Sequence, residues 1–384
     1  MNEARSEASI ARTELAARGW IPRNAESFRH LPPPDAPVWL DAMRDARAGT
    51  SAWRLAGAGA NVQARRLDAA DRAQRAELLE GLPSPDEHGE AAPFAWAHRA
   101  LLRDGLRIVI GPAWTPTVLQ LERDACEAAE APLFVLELLP GAHCVLVETH
   151  ACAATQNLQV HVRAGGRAQL DHFRIVRPGA GARVAHHVHV RLAEGARYAQ
   201  RLIATGAAYH LQRTLLDLDG RGADASVRAV DLAAATVFEQ QVRSRHAAAA
   251  TRSDVEVLAL ASGSARMVAN AYTSIAPRCD GADVRQRLVG IPTAGQPKLV
   301  LRPHLEIHHD DVQAAHGATW GALPEDALFH ARQRGLGEDA AKAMIIEGLA
   351  RSVLSRGADL PAQIEDALAA AVREHLTPEG ARHG

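Results

Sequence analysis

The sequence predicts a mainly β protein with helical ends, and three observations carry that expectation. From about Leu106 to Trp320, short runs alternate polar and apolar residues, as strands with one buried face do. Small-residue corners recur between many of these runs. No segment of helical length and period interrupts the series, which argues against βαβ architectures. A sandwich and a solenoid both remain compatible with this pattern. The repeated corners, the few aromatic residues and the long succession of similar strands favour the solenoid, in which each coil buries its face only by stacking on the next.

The elements follow in order. Residues 1 to 105 read as a helical region with breaks: Glu7–Ala17, Ala69–Leu79 and Phe94–Leu102 have helical composition. A proline-rich joint at Leu31–Pro37, an Ala/Gly loop at Gly57–Ala60 and the segment Pro83–Gly89 separate them. Residues 106 to 320 carry the strand pattern at Arg107–Ile110, Val145–Thr149, Leu158–Val162, Gln169–Val176, Val184–Leu192 and Tyr198–Ala204. It continues at Leu211–Leu218, Ser226–Leu232, Asp254–Leu260, Val284–Ile291 and Leu299–Ile307. Corners such as Gly141-Ala142, Gly195-Ala196, Gly222-Ala223 and Gly281-Ala282 are irregularly spaced, so no strict repeat is present. Residues 321 to 384 read as a helical module. Pro324 opens its first helix with Glu325 and Asp326 in the favourable first turn, and Gly335 closes it after Arg332 and Arg334. A second helix runs from Glu338 to about Arg356, with Ala343, Ile346, Leu349, Ala350 and Val353 on one face. Gly357 closes it, and Pro361 opens a third that ends near Leu376.

Composition bounds the function. The 384 residues exceed one ordinary domain and, at 47% hydrophobic and 23% charged, belong to the globular class. A formal net charge of −2 without a basic cluster makes nucleic acid and anionic membranes unexpected partners. The charged start leads into no apolar signal region, and no apolar stretch is long enough to span a bilayer, so a cytoplasmic location is expected. Cys126, Cys144, Cys152 and Cys279 are scattered without a C-x-x-C pair, as reduced structural thiols are. Lys298 and Lys342 are the only lysines, and neither stands in a G-x-x-x-x-G-K-[ST] context, so the chain carries no phosphate loop of its own.

One stretch is far more specific than any short motif. Pro303-His-Leu-Glu-Ile-His-His-Asp-Asp-Val312 is followed by Gln313-Ala-Ala-His-Gly-Ala-Thr-Trp-Gly321, then by Leu323–Leu336 and Glu338–Leu354. In order, spacing and residue type this resembles the shared C-terminal signature of the SufB/SufD family, scaffold subunits of iron–sulfur cluster assembly. The short chain and helical N-terminal extension place it nearer the SufD branch. The resemblance implies a right-handed parallel β-helix between helical ends, pairing with a SufB-like subunit, and docking of the C-terminal helices on the SufC ATPase. It implies a non-catalytic role in which ATP hydrolysis moves the subunits while a transient iron or iron–sulfur cluster forms at their interface. No permanently bound cofactor is expected, and a homodimer stays open for the isolated chain. Pro324, Leu328, Arg334, Gly335, Ile346, Leu349 and Val353 are the expected partner-binding residues. Many family members carry Cys two residues before the motif histidine, where this chain has Ala314. His316, placed in a loop at the join of two domains, is therefore the expected iron or cluster ligand.

Other constellations have bland readings beside the chemical ones. His304, Glu306, His308 and Asp310 alternate, so on a strand they share one face opposite Leu305 and Ile307. Two imidazoles and two carboxylates there suit a divalent metal, while the plain alternative is a solvated face. On the same reasoning, a β-solenoid enzyme or a metal-binding protein using the His304/Glu306/His308 face is the alternative function. His187 and His189 share a face and His186 points away with Val188, which reads as a set of exposed strand histidines. His246, near Thr251 and Ser253, reads as a hydrogen-bonded structural residue.

Overall fold

The computed structural model describes residues 2–40, 53–57, 59–124 and 129–377, with side chains from residue 7 onward. Cys126, Ala58 of the expected Ala/Gly loop, and the segment after Thr377 lie outside the described residues.

The chain winds into a parallel β-solenoid of eight coils, each giving one strand to each of two facing sheets. The coils are β3 (Asp104–Ile110) with β4 (Thr117–Arg123), β5 (Leu133–Leu138) with β6 (His143–His150), β7 (Thr155–Ala164) with β8 (Gln169–Val176), and β9 (Arg183–Leu192) with β10 (Arg197–Thr205). They continue as β11 (Tyr209–Leu218) with β12 (Asp224–Ala234), β13 (Val237–His246) with β14 (Arg252–Gly263), β15 (Arg266–Ile275) with β16 (Ala282–Gly295), and β17 (Lys298–Ile307) with β18 (Val312–Trp320). Odd-numbered strands build one sheet and even-numbered strands the other. The solenoid expectation therefore holds, and the sandwich alternative fails because the neighbours within each sheet are parallel.

In-register stacking builds the core. Leu138, Ala164, Leu192 and Leu218 occupy successive rungs of one ladder, each covering the apolar area of the previous rung. Corner glycines matter where the chain turns between sheets: Gly141, Gly195, Gly222 and Gly281 have φ between 62° and 75°, a region open to glycine without steric cost. Arg167 and Ala250 adopt φ of 55° in comparable turns, which is why the corner motif is irregular in sequence.

The first hundred residues correct the helical reading in part. α1 (Asn2–Arg18), α2 (Ala36–Leu40), α3 (Arg72–Leu79) and α4 (Ala92–Leu101) are helical, and a 3-10 turn spans Pro85–Ala91. β1 (Trp53–Ala56) and β2 (Val62–Asp68) are strands that add antiparallel to β4 and β3. Their sequences alternate weakly, and pairing with the first coil decides their conformation. The rest of this region lies on the odd-numbered sheet, where Phe28, Trp39 and Phe94 pack with Ala185, Tyr209 and Val268.

α5 (Glu325–Gln333), α6 (Glu338–Leu354) and α7 (Ala362–Leu376) follow the last strand. α6 and α7 cover the outer face of the even-numbered sheet, burying Ile346, Ala350, Leu354, Ile364 and Leu368 against Phe173, Ile203, Val230, Leu258 and Ile291. Arg201 Nε donates to Leu354 O (3.0 Å), and His375 Nε2 lies 2.7 Å from Thr293 Oγ1, tying the module to the strands. Among the described residues no helix is long and apolar enough to cross a membrane.

Candidate functional site at the open end of the solenoid

Among the described residues the last coil is paired on one side only: β17 with β15, and β18 with β16. His316 is a residue of β18 rather than of a loop, which corrects the sequence expectation. It pairs in register with Gln286, and Ala314 with Val284. The strand was illegible because Gln313-Ala-Ala-His-Gly-Ala-Thr buries neither face fully, so no apolar alternation marks it. Gln286 turns into the solenoid, its Nε2 donating to Thr273 Oγ1 (2.8 Å) and His304 O (3.1 Å). By strand parity His316 lies on that same side of the sheet, exposed at the mouth of the final coil.

The His304 group stands on the other sheet. Its strand ends at Ile307, so the expected four-residue face is only partly formed and Asp310 falls in the following bend. The His304 ring stacks on Tyr272, with centroids 4.9 Å apart and planes 7° apart. Glu306 accepts from the Tyr272 hydroxyl and lies 2.9 Å from His308 Nε2. These side chains are already engaged, and among the described residues no three His, Cys, Asp or Glu side chains are set to hold a metal ion. His316 and the His304 group are not brought together.

The helical module places the expected partner-binding residues unevenly. Pro324, Arg334 and Gly335 are exposed, Leu328 and Leu349 are half-buried, and Ile346 and Val353 are buried within the chain. Ile346 and Val353 serve the internal core, because an apolar stripe that faces a sheet reads like one that faces a partner. Sequence reasoning missed the apolar residues that do face outward on this module: Phe329 (59% exposed), Met344 (51%) and Leu336 (38%). Met344 stands off the stripe read for α6, and that offset was an available signal, whereas Leu336 lies in the connection between α5 and α6.

A second feature escaped the sequence reading: a polar chain through the solenoid interior. Glu148 is fully buried and accepts from His150, from His172 (2.5 Å) and from Arg174 (3.3 Å). Burial alone would raise the Glu148 carboxyl, but Arg174 and the two histidines outweigh it and hold it well below the usual carboxylate range. Burial lowers His150 and His172 in spite of the carboxylate beside them. Arg174 also donates to Gln212 (3.0 Å) and approaches His186, whose Nε2 donates to Gln156. His186 is thus an interior residue, and His187 and His189 are buried beneath the N-terminal segment, which corrects their reading as exposed. His189 Nε2 donates to Asp217 (2.6 Å), and both rings face His88. His246 is fully buried, 2.8 Å from both Thr251 and Ser253. Burial pushes the Cys144 thiol up to about 12, so Cys144 stays protonated and unreactive.

Comparison with known proteins converges on one family. Residues 122–349 match the domain described as SUF system FeS cluster assembly, SufBD core domain, which takes in the solenoid from the end of β4 through most of α6. The iron–sulfur cluster assembly protein SufD of Escherichia coli is 39% identical over a stretch covering 16% of this chain and 18% of that protein. An iron–sulfur cluster assembly SufBD family protein of Mycobacterium leprae is 36% identical over 20% of this chain and 19% of its own length. The aligned stretches thus span less than a fifth of either relative. With the core domain matching more than half of the chain and a parallel solenoid that agrees with it, the chain belongs to the SufBD family of iron–sulfur cluster assembly proteins.

Proposed function

We propose that the chain is a non-catalytic scaffold subunit of the Suf machine, pairing with a SufB-like subunit and docking the SufC ATPase. The observation that carries this reading is the unfinished end of the solenoid: two strand edges without neighbours among the described residues, followed by a helical module with outward-facing Phe329, Leu336 and Met344. An unpaired edge is a template for strand addition.

The two edges are not equivalent. His308 N and Lys298 N donate back to β15 and the residue before it, so odd-numbered residues of β17 turn their backbone outward. Pro303 is one of these, and it offers no N–H to a newcomer. On β18, Gly321 N donates to Gly290 O, so the even-numbered residues Ala314, His316 and Ala318 present their backbone groups to the open side without a proline. Pairing then runs through β18, and His316 sits on the strand that the partner subunit covers. With Ala314 in place of a thiolate, the imidazole is the group this strand brings to a nascent cluster, which is the machine's cargo.

Co-expression with the host's SufB-like and SufC homologues tests the assignment. Co-elution of all three on gel filtration is expected, with no ATPase activity in the isolated chain. His316→Ala removes an exposed side chain, so stability should change by about 1 kcal/mol or less. The complex should assemble while its iron content and cluster absorbance fall. Equal cluster loading in both complexes would leave His316 with no part in ligation.

A further inference from the structure

A cavity of about 430 Å³ lies on the outer face of the odd-numbered sheet, near the last coil but separate from the β18 edge. Three neighbouring strands form its floor in two registered rows. One row is Gln241, Asn270 and Arg302, and the other is Arg243, Tyr272 and His304. Glu26–Ser27 and Gly89–Glu90 of the N-terminal segment form the rim.

The charges around this cavity are not evenly satisfied. Glu90 accepts from the backbone N–H groups of Glu26 and Ser27 at 2.8 Å each. Arg302 is engaged by Glu26, through its carboxylate and its carbonyl oxygen (3.0 Å). Arg243 has no hydrogen-bond or ion-pair partner among the described residues. Its guanidinium is held over the Tyr272 ring at 4.7 Å, and the far face of that stack is His304. Glu90 and Glu306 reach it only through longer-range attraction. Beside the first row, two residues back along the strand from Gln241, Glu239 is fully buried and accepts from Asn270 Nδ2 (3.3 Å) and from Gln241 Nε2 (2.8 Å). This leaves Asn270 Oδ1 and Glu239 Oε2 buried without partners. Burial pushes the Glu239 carboxyl up to about 8, so near neutral pH it adds no negative charge to the floor.

We propose that this cavity is a binding site for a small organic oxyanion. The carboxylate or phosphate of the ligand takes the fork of Arg243, and the polar body lies along Gln241 and Asn270. A planar guanidinium fixed on an aromatic face loses little freedom on binding, so it is prepared for a two-point contact with an oxyanion. A hydrogen-bond donor on the ligand, such as a hydroxyl or an amide N–H, satisfies the Asn270 oxygen that the protein leaves open. The volume of about 430 Å³ confines the site to small ligands.

Thermal shift and titration calorimetry on the purified full chain decide the matter, with inorganic phosphate, malate and adenosine monophosphate as separate probes. Saturable binding of malate or the nucleotide is expected. Phosphate alone should bind at least tenfold more weakly, because it cannot reach the amide row. Arg243→Gln should leave the unliganded melting temperature close to that of the wild type, since the guanidinium makes no hydrogen bond or ion pair among the described residues and gives up only its stack on Tyr272, and should weaken binding at least tenfold. Asn270→Asp, which sets a carboxylate against the anion, should weaken it likewise while preserving shape. Absence of binding by malate and the nucleotide, or equal affinity in the wild type and Arg243→Gln, overturns the proposal.

Discussion

Glu148 meets Arg174, His150 and His172 in a space from which solvent is excluded. Breaking a buried ion pair from one side leaves the other charge uncompensated, at a cost of about 3–5 kcal/mol. Glu148→Gln should therefore lower the unfolding free energy measured in urea by an amount of that order, and adding Arg174→Met should restore part of the loss. A shift of less than about 1 kcal/mol in the single variant would mean that the network contributes little to stability. Histidines elsewhere give the fold a pH dependence. Burial, helped by Arg174, lowers His210 to about 3, against the opposing hydrogen bond to Thr205 O. His186 and Phe238 are the rings that face it. Burial lowers His246 to about 4 against the pull of Asp283. Both bind their proton more readily in the unfolded chain, where the pKa is about 6.5. Their contribution is thus present above about pH 6.5 and lost as pH falls toward 4 and 3, at roughly 1 kcal/mol each by pH 5.5. The midpoint should drop between pH 7.5 and 5.5, with the buried His98 adding to the loss and the raised Glu239 carboxyl opposing it, and His246→Asn should flatten that drop. An unchanged slope would mean that His246 does not titrate on unfolding. Of these residues only His246 was legible beforehand, as a hydrogen-bonded structural residue; Glu148, His150 and Arg174 look like solvent-facing residues, and only the coil geometry turns them inward.

At the scale of elements, the helices of the C-terminal module were legible almost to the residue, because Pro324, Gly335, Gly357 and Pro361 mark their ends. Strand legibility followed polar/apolar alternation in the sequence only in part: β9 and β11 were read although both of their faces are buried, and β4 was missed although its buried and exposed residues alternate. β5, Leu-Phe-Val-Leu-Glu-Leu, is buried on both faces and shows no alternation, while β18 is largely exposed on both and shows none either. The expected docking face suffered from the same ambiguity, since Ile346 and Val353 cover the even-numbered sheet. Deleting the module would strip that sheet of its cover, so point variants test docking better than truncation does. Ile346→Ala should cost about 2–5 kcal/mol of stability, as core truncations do. Phe329→Ala and Met344→Ala remove exposed side chains and should change stability by only about 0.5 kcal/mol. If the ATPase docks on this face, the exposed pair should lose SufC in a pull-down while remaining folded. Retention of SufC by the double variant would move the dock elsewhere.

For the whole molecule, a solenoid buries each coil against the next, so its last coil is the place where the stacking rule goes unmet. Here the two sheets end differently, and the difference is testable at single-residue resolution. Ala314 points its backbone N–H away from β16 and Ala315 points toward it, by the alternation that Gly321 N to Gly290 O sets. Proline at position 314 removes only a donor that faces the open side, and an edge strand tolerates such a proline. Ala314→Pro should fold like the parent chain, with stability changed by about 1 kcal/mol or less, yet fail to co-elute with the SufB-like subunit. Ala315→Pro removes a ladder bond to β16 and should lose stability as well as pairing. The contrast separates the backbone edge from the side chains, since both positions carry the same exposed alanine. Should Ala314→Pro pair as well as the parent chain, strand addition at β18 is excluded, and the pairing surface lies on side chains such as the exposed Trp320 at the strand's end.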